Sequence, residues 1–347
     1  MNPAQATPSP ASKSTRRGGS LRWVVVALTL VAVVGGVGAY LYFAVLHPPP
    51  RAHLHLPEGS TIAVRVDALQ LLAFRPVREK LLPVFENAGA TPDQPTRAKE
   101  RLDRLRKLTG VSLPTDLREV VVGSLDGTQW VAAFGGTLEA GRFVDGLETV
   151  LKEEAIGGWK RDGEVLVHTL GATVGQAADG TILVGTTKSI VLAALPARDP
   201  ESSASDLPLP TRGALTFMVK SAASRRALDS LPPLFSAIRT LSTIDRLNGT
   251  FTLDDSPRVD LQLRPRGVTA AELASALQSD LATVKLALIF SPSDFGGARQ
   301  ALTSATIRAE GDNVLVAAAW PFAALEGEVQ RLADMLSALL AQTPRLK

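Results

Sequence analysis

REVVVGSLDGTQWVAAFGG, residues 118–136, decides how the chain folds. Two apolar runs rich in Val and Ala flank Asp126-Gly127, a pair suited to the positive φ of a tight hairpin turn, so the stretch reads as two antiparallel strands. Working outward, TIAVRVD (61–67) alternates like a half-buried strand, and Asp67 opens a leucine-rich helix that Pro76 breaks. TRAKERLDRLRKLTG (96–110) is a charged helix with an apolar stripe at Leu102, Leu105 and Leu108 and a C-terminal Gly110. After the hairpin, a helix is expected over 139–154 with Phe143, Leu147 and Leu151 on one face. Strands near 164–170 and 181–186 and a helix around Ser189–Leu195 complete this part.

The same order returns later. GALTFMVK (213–220) is an alternating strand, GTFTLDDSPRVDLQLRP (249–265) a hairpin, and Thr269 with Glu272 a capping box for a helix carrying Leu273, Leu277 and Leu281. QAADGTILVGTT (176–187) corresponds to RAEGDNVLVAAA (308–319), turn residues followed by a strand. The pattern implies a diverged duplication, divided by the Pro, Ser and Asp-rich stretch ARDPESSASDLPLPTRG. The expected domains are 57–196 and 213–347, with a linker at 197–212. The fold class is α+β, antiparallel sheets with helices packed on one face of each.

Ahead of these domains, WVVVALTLVAVVGGVGAYLYFAVL (23–46) carries no charge in a chain that is 20% charged. As a helix it spans roughly 36 Å, enough to cross a bilayer with some tilt. A transmembrane helix is therefore expected over 21–46, preceded by a disordered basic tail (1–20) and followed by a Pro-rich spacer (47–56). Val37-Gly38-Ala39 also satisfies the small-residue rule for signal cleavage. Cleavage after Ala39 would leave YLYFAVL exposed at the mature end, which favours the uncleaved anchor. Lys13, Arg16, Arg17 and Arg22 precede the span, so the tail is expected in the cytoplasm and the body outside, periplasmic in a cell with two membranes. Ala32 with Gly36, and Gly35 with Ala39, have the spacing for close helix packing and a homodimer within the membrane.

Composition excludes several classes. The chain has 37 Lys and Arg against 34 Asp and Glu, and four of those cations lie before residue 46, so the body is near-neutral and no nucleic-acid partner is expected. Cysteine is absent, which removes disulfides, thiolate metal sites and cysteine nucleophiles. Neither a Gly-x-Ser-x-Gly elbow, nor His-Glu-x-x-His, nor a phosphate loop occurs. His53-Leu54-His55 would place two imidazoles on one face of an extended segment, but two ligands make no metal site. His168 reads as a strand histidine, and the acidic pairs Glu153-Glu154 and Asp254-Asp255 as a helix surface and a turn. No catalytic, cofactor or metal residue is therefore assigned, and the chain is expected not to be an enzyme. GGWKRDG (157–163) sets Trp159 beside Lys160 and Arg161 in a glycine-flanked loop, the candidate interaction residues, although a tryptophan folded back on its own domain is the alternative.

LPEGSTIAVRVDALQLL (56–72), followed by TGVSLPTDLREVVVGSLDGTQWVAAFGG (109–136), resembles the opening of bacterial membrane-anchored exported proteins of unknown function. In these a proline-led strand ends in Val-Asp before a helix. The resemblance implies a cell-envelope location and carries no site residues. The expected function is that of a membrane-anchored extracytoplasmic binding or scaffold protein, held by the lipid bilayer and contacting an envelope protein. Alternatives are a protein that takes an apolar ligand or lipid, and a hydrolase without a recognisable motif.

Overall fold

A computed structural model describes residues 51–86, 96–112, 116–153, 155–202, 208–210, 212–221, 239–289 and 297–342. The expected tail and membrane span, with Ala32, Gly35, Gly36 and Ala39, lie outside the described residues. Among those described, no helix is long and apolar enough to cross a membrane.

Twelve strands are described: β1 (Ile62–Asp67), β2 (Leu117–Ser124), β3 (Trp130–Gly136), β4 (Trp159–Asp162), β5 (Val165–His168), β6 (Thr173–Gln176), β7 (Ile182–Gly185), β8 (Leu215–Lys220), β9 (Ile244–Thr252), β10 (Arg258–Pro265), β11 (Thr306–Glu310) and β12 (Asn313–Ala319). The helices are α1 (Ala68–Ala73), α2 (Leu82–Glu86), α3 (Thr96–Thr109), α4 (Phe143–Glu153), α5 (Lys188–Ala194), α6 (Ala270–Ile289), α7 (Ala298–Ser304) and α8 (Phe322–Gln342), with a 3-10 turn at Ala52–His55. The class is α+β, and every strand pairing is antiparallel.

Local chemistry places the ends of these elements. Asp67 Oδ1 accepts the Gln70 N–H at 3.0 Å and so caps α1. Asp126 Oδ1 accepts the N–H groups of Thr128 and Gln129, both at 2.9 Å, in the β2–β3 turn, where Gly127 sits at φ +87°. At α6 the capping box is complete: Thr269 N–H donates to Glu272 Oε2 at 2.7 Å, and Glu272 N–H to Thr269 Oγ1 at 3.2 Å.

The strands form one sheet in the order β11-β12-β10-β9-β8-β1-β2-β3-β7-β6-β5-β4. Strands from either side of the 197–212 stretch thus meet at its centre, where β1 pairs with β8. Outward from that pair the order repeats: β1, β2, β3, β7, β6 on one side and β8, β9, β10, β12, β11 on the other. The central register is symmetric too, with Ile62 opposite Val219 and Val66 opposite Leu215 about the Val64–Phe217 pair.

Helices lie on both faces of this sheet, not on one as expected. One face of the first half (Ala63, Val121, Val131, Ala133, Leu183) is covered by Ala52 of the 3-10 turn, by Leu56 just after it, and by Ile190, Val191 and Ala194 of α5. On the opposite face, Val144 and Leu151 of α4 pack on Leu166. Ala270, Leu273 and Ala274 of α6 likewise pack on Leu263 and Val314. Both faces of the first half are rich in apolar residues, and each needs a cover.

Helices α3 and α4 cross at Gly146, where an added Cβ would stand 2.3 Å from Leu108 O. Gly146→Ala is expected to force the helices apart and cost about 1–3 kcal/mol, read as a lower midpoint in urea unfolding. An unchanged midpoint would show that this crossing carries no load.

Candidate functional site

Two clusters of polar residues have defined geometry. The first surrounds the segment after Arg51. Ala52 lies over Gly135, where a Cβ would come within 2.9 Å of the Ala52 Cβ, and Leu56 lies over Gly123, where it would come within 2.7 Å of Leu56 Cδ2. These two glycines of neighbouring strands floor a trough for the chain. Glu119, 1% exposed, accepts the Ala52 N–H on Oε1 and Arg65 Nε on Oε2, both at 2.8 Å. Burial favours the neutral acid. The His53 ring, 3.8 Å away and beyond hydrogen-bond length, and the Arg65 guanidinium overcome it and draw Glu119 below its ordinary 4.5.

His55 is 1% exposed. Its Nδ1 lies 2.8 Å from Ala194 O and its Nε2 3.1 Å from Asp179 Oδ2. Both partners are acceptors, so both ring nitrogens donate and the ring is an imidazolium. Burial opposes that charge, but the Asp179 carboxylate and the Ala194 carbonyl outweigh it and raise the pKa above 6.5. The hydrogen bond from His55, opposed by burial and aided by the Thr181 N–H, holds Asp179 well below its ordinary range. Arg198 N–H adds a bond to Leu54 O at 2.9 Å. The two histidines therefore serve separate carboxylates. A 3-10 turn does not share the period of two of an extended segment, which is why His53 and His55 do not share a face. Among the described residues no three His, Asp or Glu side chains are grouped to hold a metal ion.

The second cluster is at the sheet edge. Trp159, Lys160 and Arg161 are not in a loop: they form β4, a four-residue strand whose flanking glycines mask it in the sequence. Trp159 is half-buried, packs on the α4 cluster and meets the His168 ring at a centroid distance of 5.0 Å. Gly158, at φ +88°, makes room for that ring, since a Cβ there would lie 2.6 Å from His168 Nε2. Arg161 Nη1 pairs with Asp145 Oδ1 at 2.9 Å, and Lys188 Nζ with Asp162 Oδ2 at 2.6 Å, while Lys160 is exposed. Gly158, Lys160, Asp162, Val167 and His168 are among the residues lining an open depression of about 520 Å³. His168 Nδ1 accepts the Leu170 N–H at 3.2 Å, and no described carboxylate lies within salt-bridge distance of the ring. Leu170 itself is 87% exposed.

Thr169 N–H donates to Gly158 O at 2.8 Å, which sets the alternation of the β4–β5 ladder. The pairs Lys160–Val167 and Asp162–Val165 then bond inward, and the backbone groups of Trp159 and Arg161 face out from the edge. The opposite edge differs, because Gln278 Nε2 of α6 donates to Ile307 O of β11 at 3.0 Å and closes it in part.

Fold and sites together define an α+β protein built on one twelve-stranded antiparallel sheet. No protein-family model matches the chain, and no curated protein matches it. Solved structures do. The chain is similar to crystal form III of TP0453, with a TM-score of 0.43 and 11% identity, over 84% of this chain and 98% of that one. It is similar also to crystal form I of TP0453, with a TM-score of 0.40 and 11% identity, over 84% and 97%.

The His55–Asp179 and Glu119 contacts set a pH profile. His55, with its pKa raised, stabilises the fold fully below pH 6.5, and that contribution is lost as pH rises through the raised value. Glu119 and Asp179, both lowered, contribute above pH 4.5 and 3.8 and lose that contribution as pH falls through their lowered values. Urea unfolding across pH is expected to show stability declining on the alkaline side of pH 6.5, a decline that His55→Gln flattens. Asp179→Asn is expected to cost about 1–2 kcal/mol, the buried-pair cost discounted for a carboxylate one-third exposed to solvent. An alkaline slope unchanged in His55→Gln would remove His55 from this role.

Proposed function

We propose that the chain is a membrane-anchored, extracytoplasmic binding or scaffold protein of the cell envelope, in which a single N-terminal transmembrane helix carries two related halves. The uncharged run 23–46 and the cations before it support the location. The observation that carries binding is the β4 edge. Outward backbone groups of Trp159 and Arg161, the exposed Lys160 and the 87% exposed Leu170 lie together at a strand end of the sheet. An added strand from a partner takes its main-chain bonds from such an edge and its specificity from flanking side chains.

Because the chain has no cysteine, Glu164→Cys in the exposed β4–β5 turn gives a unique thiol. Treatment of intact spheroplasts with a membrane-impermeant maleimide is expected to label it, whereas Ser14→Cys in the tail is labelled only after lysis. The reverse pattern would defeat the envelope reading. Contact is tested by a photo-crosslinking residue in place of Lys160. Discrete protein adducts are expected there and not with the same residue at Arg331 on α8. Equal patterns at both positions would count against the β4 edge.

A further inference from the structure

Three cations stand in a row across β8, β9 and β10. Lys220 stands opposite Arg246, and Arg246 opposite Arg264, so three like charges lie side by side on one face within about 10 Å. Directly opposed like charges destabilise a sheet. Other cations of this face in the same half have acids beside them: Arg258 bonds Asp260 at 2.7 Å, and Arg308 lies 3.4 Å from Glu310. No described carboxylate is within 4.0 Å of Arg246 or Arg264. On the same face, Asn248 follows Arg246 by two residues and lies opposite Gln262. It is 8% exposed, and its Oδ1 has no hydrogen-bond partner.

The symmetric strand order gives this row a counterpart in the other half. Taken strand by strand from the centre, Lys220, Arg246 and Arg264 occupy the positions of Asp67, Glu119 and Gly135 in the other half. Those three positions are the end of the trough that holds a polypeptide segment: Ala52 sits on Gly135, and Glu119 accepts the Ala52 N–H. In the second half the acids have become bases, and Gln262 and Arg264 are exposed.

We propose that this face of β8–β10 is a seat for an acidic peptide segment of a partner protein, the charge-inverted counterpart of the trough that holds Ala52–Leu56. Carboxylates of the segment meet Arg246 and the exposed Arg264, beside the exposed Gln262. The seat lies apart from the β4 edge, so it stands or falls independently of that contact.

The test uses the full chain in detergent and a fluorescent, N-acetylated hexaglutamate peptide, with hexalysine and inorganic phosphate as alternatives. Hexaglutamate is expected to bind, and Arg246→Ala with Arg264→Ala to weaken it by roughly tenfold or more, as loss of two charge-assisted contacts requires. Arg308→Ala, on the same face but beside Glu310, is expected to leave affinity unchanged. Arg246→Glu with Arg264→Glu is expected to transfer preference to hexalysine. If the double variants fail to fold, the exposed Gln262→Glu places a repelling carboxylate in the seat and is expected to weaken binding on its own. Affinity indifferent to all of these changes overturns the proposal. So does displacement of the peptide by equimolar phosphate, which would reduce the seat to a simple anion site.

Discussion

The pairing of β1 with β8 is the constraint on which the rest depends. Each half alone would end in a strand whose inner edge is unpaired, with Val64 and Val66 on one side and Leu215 and Phe217 on the other. Joining them satisfies both edges at once and makes a continuous sheet from two short ones. The join also sets the axis about which the remaining strands repeat. With β1 and β8 antiparallel, matching strands of the two halves run in opposite directions while sharing a face, so features of one half reappear at the far end of the other.

That arrangement gives the two halves different uses of the same geometry. In the first, the face bearing Val121 and Ala133 is apolar and floored by glycines, and the chain itself covers it. Buried Glu119 then has to be neutralised locally, which Arg65 does at 2.8 Å. In the second, Asn248 and Gln262 take the places of Val121 and Ala133, so the face is more polar across β9 and β10, although Met218 of β8 stays buried on it. The core of that half sits on the opposite side, under α6. The two halves, alike in strand order over five strands, thus carry their apolar surface differently through the residues at alternate positions, with the same backbone pairing.

Local signals in the sequence carried the fold a long way. Asp126-Gly127 marked its hairpin, Asp67 its helix start, and Thr269 with Glu272 their capping box, because each acts through contacts within three or four residues. The stretches 176–187 and 308–319 fall at β6–β7 and β11–β12, which hold corresponding places in the strand order. Non-local contacts were not legible. Nothing near residue 62 announces that its partner is residue 219, and the joining of the halves followed from neither composition nor periodicity. His55 looked like a spacer residue because its partners, Asp179 and Ala194, lie more than a hundred residues away. Trp159 was found by residue type, but its strand was hidden by brevity and by glycines on both sides.

The central pair also has a consequence in time. As the chain emerges from its N-terminus, β1 finds β2 early, but its other edge stays open until Lys220 has appeared. For that interval the growing chain exposes an unsatisfied row of backbone groups beside Val64 and Val66, the type of surface on which nascent chains pair wrongly with one another. Closing the sheet late, over a sequence distance spanning most of the first half, makes its folding slow relative to its hairpins. The inner edge of β1 is therefore the last part of the first half to be closed, and it waits for β8, Leu215–Lys220.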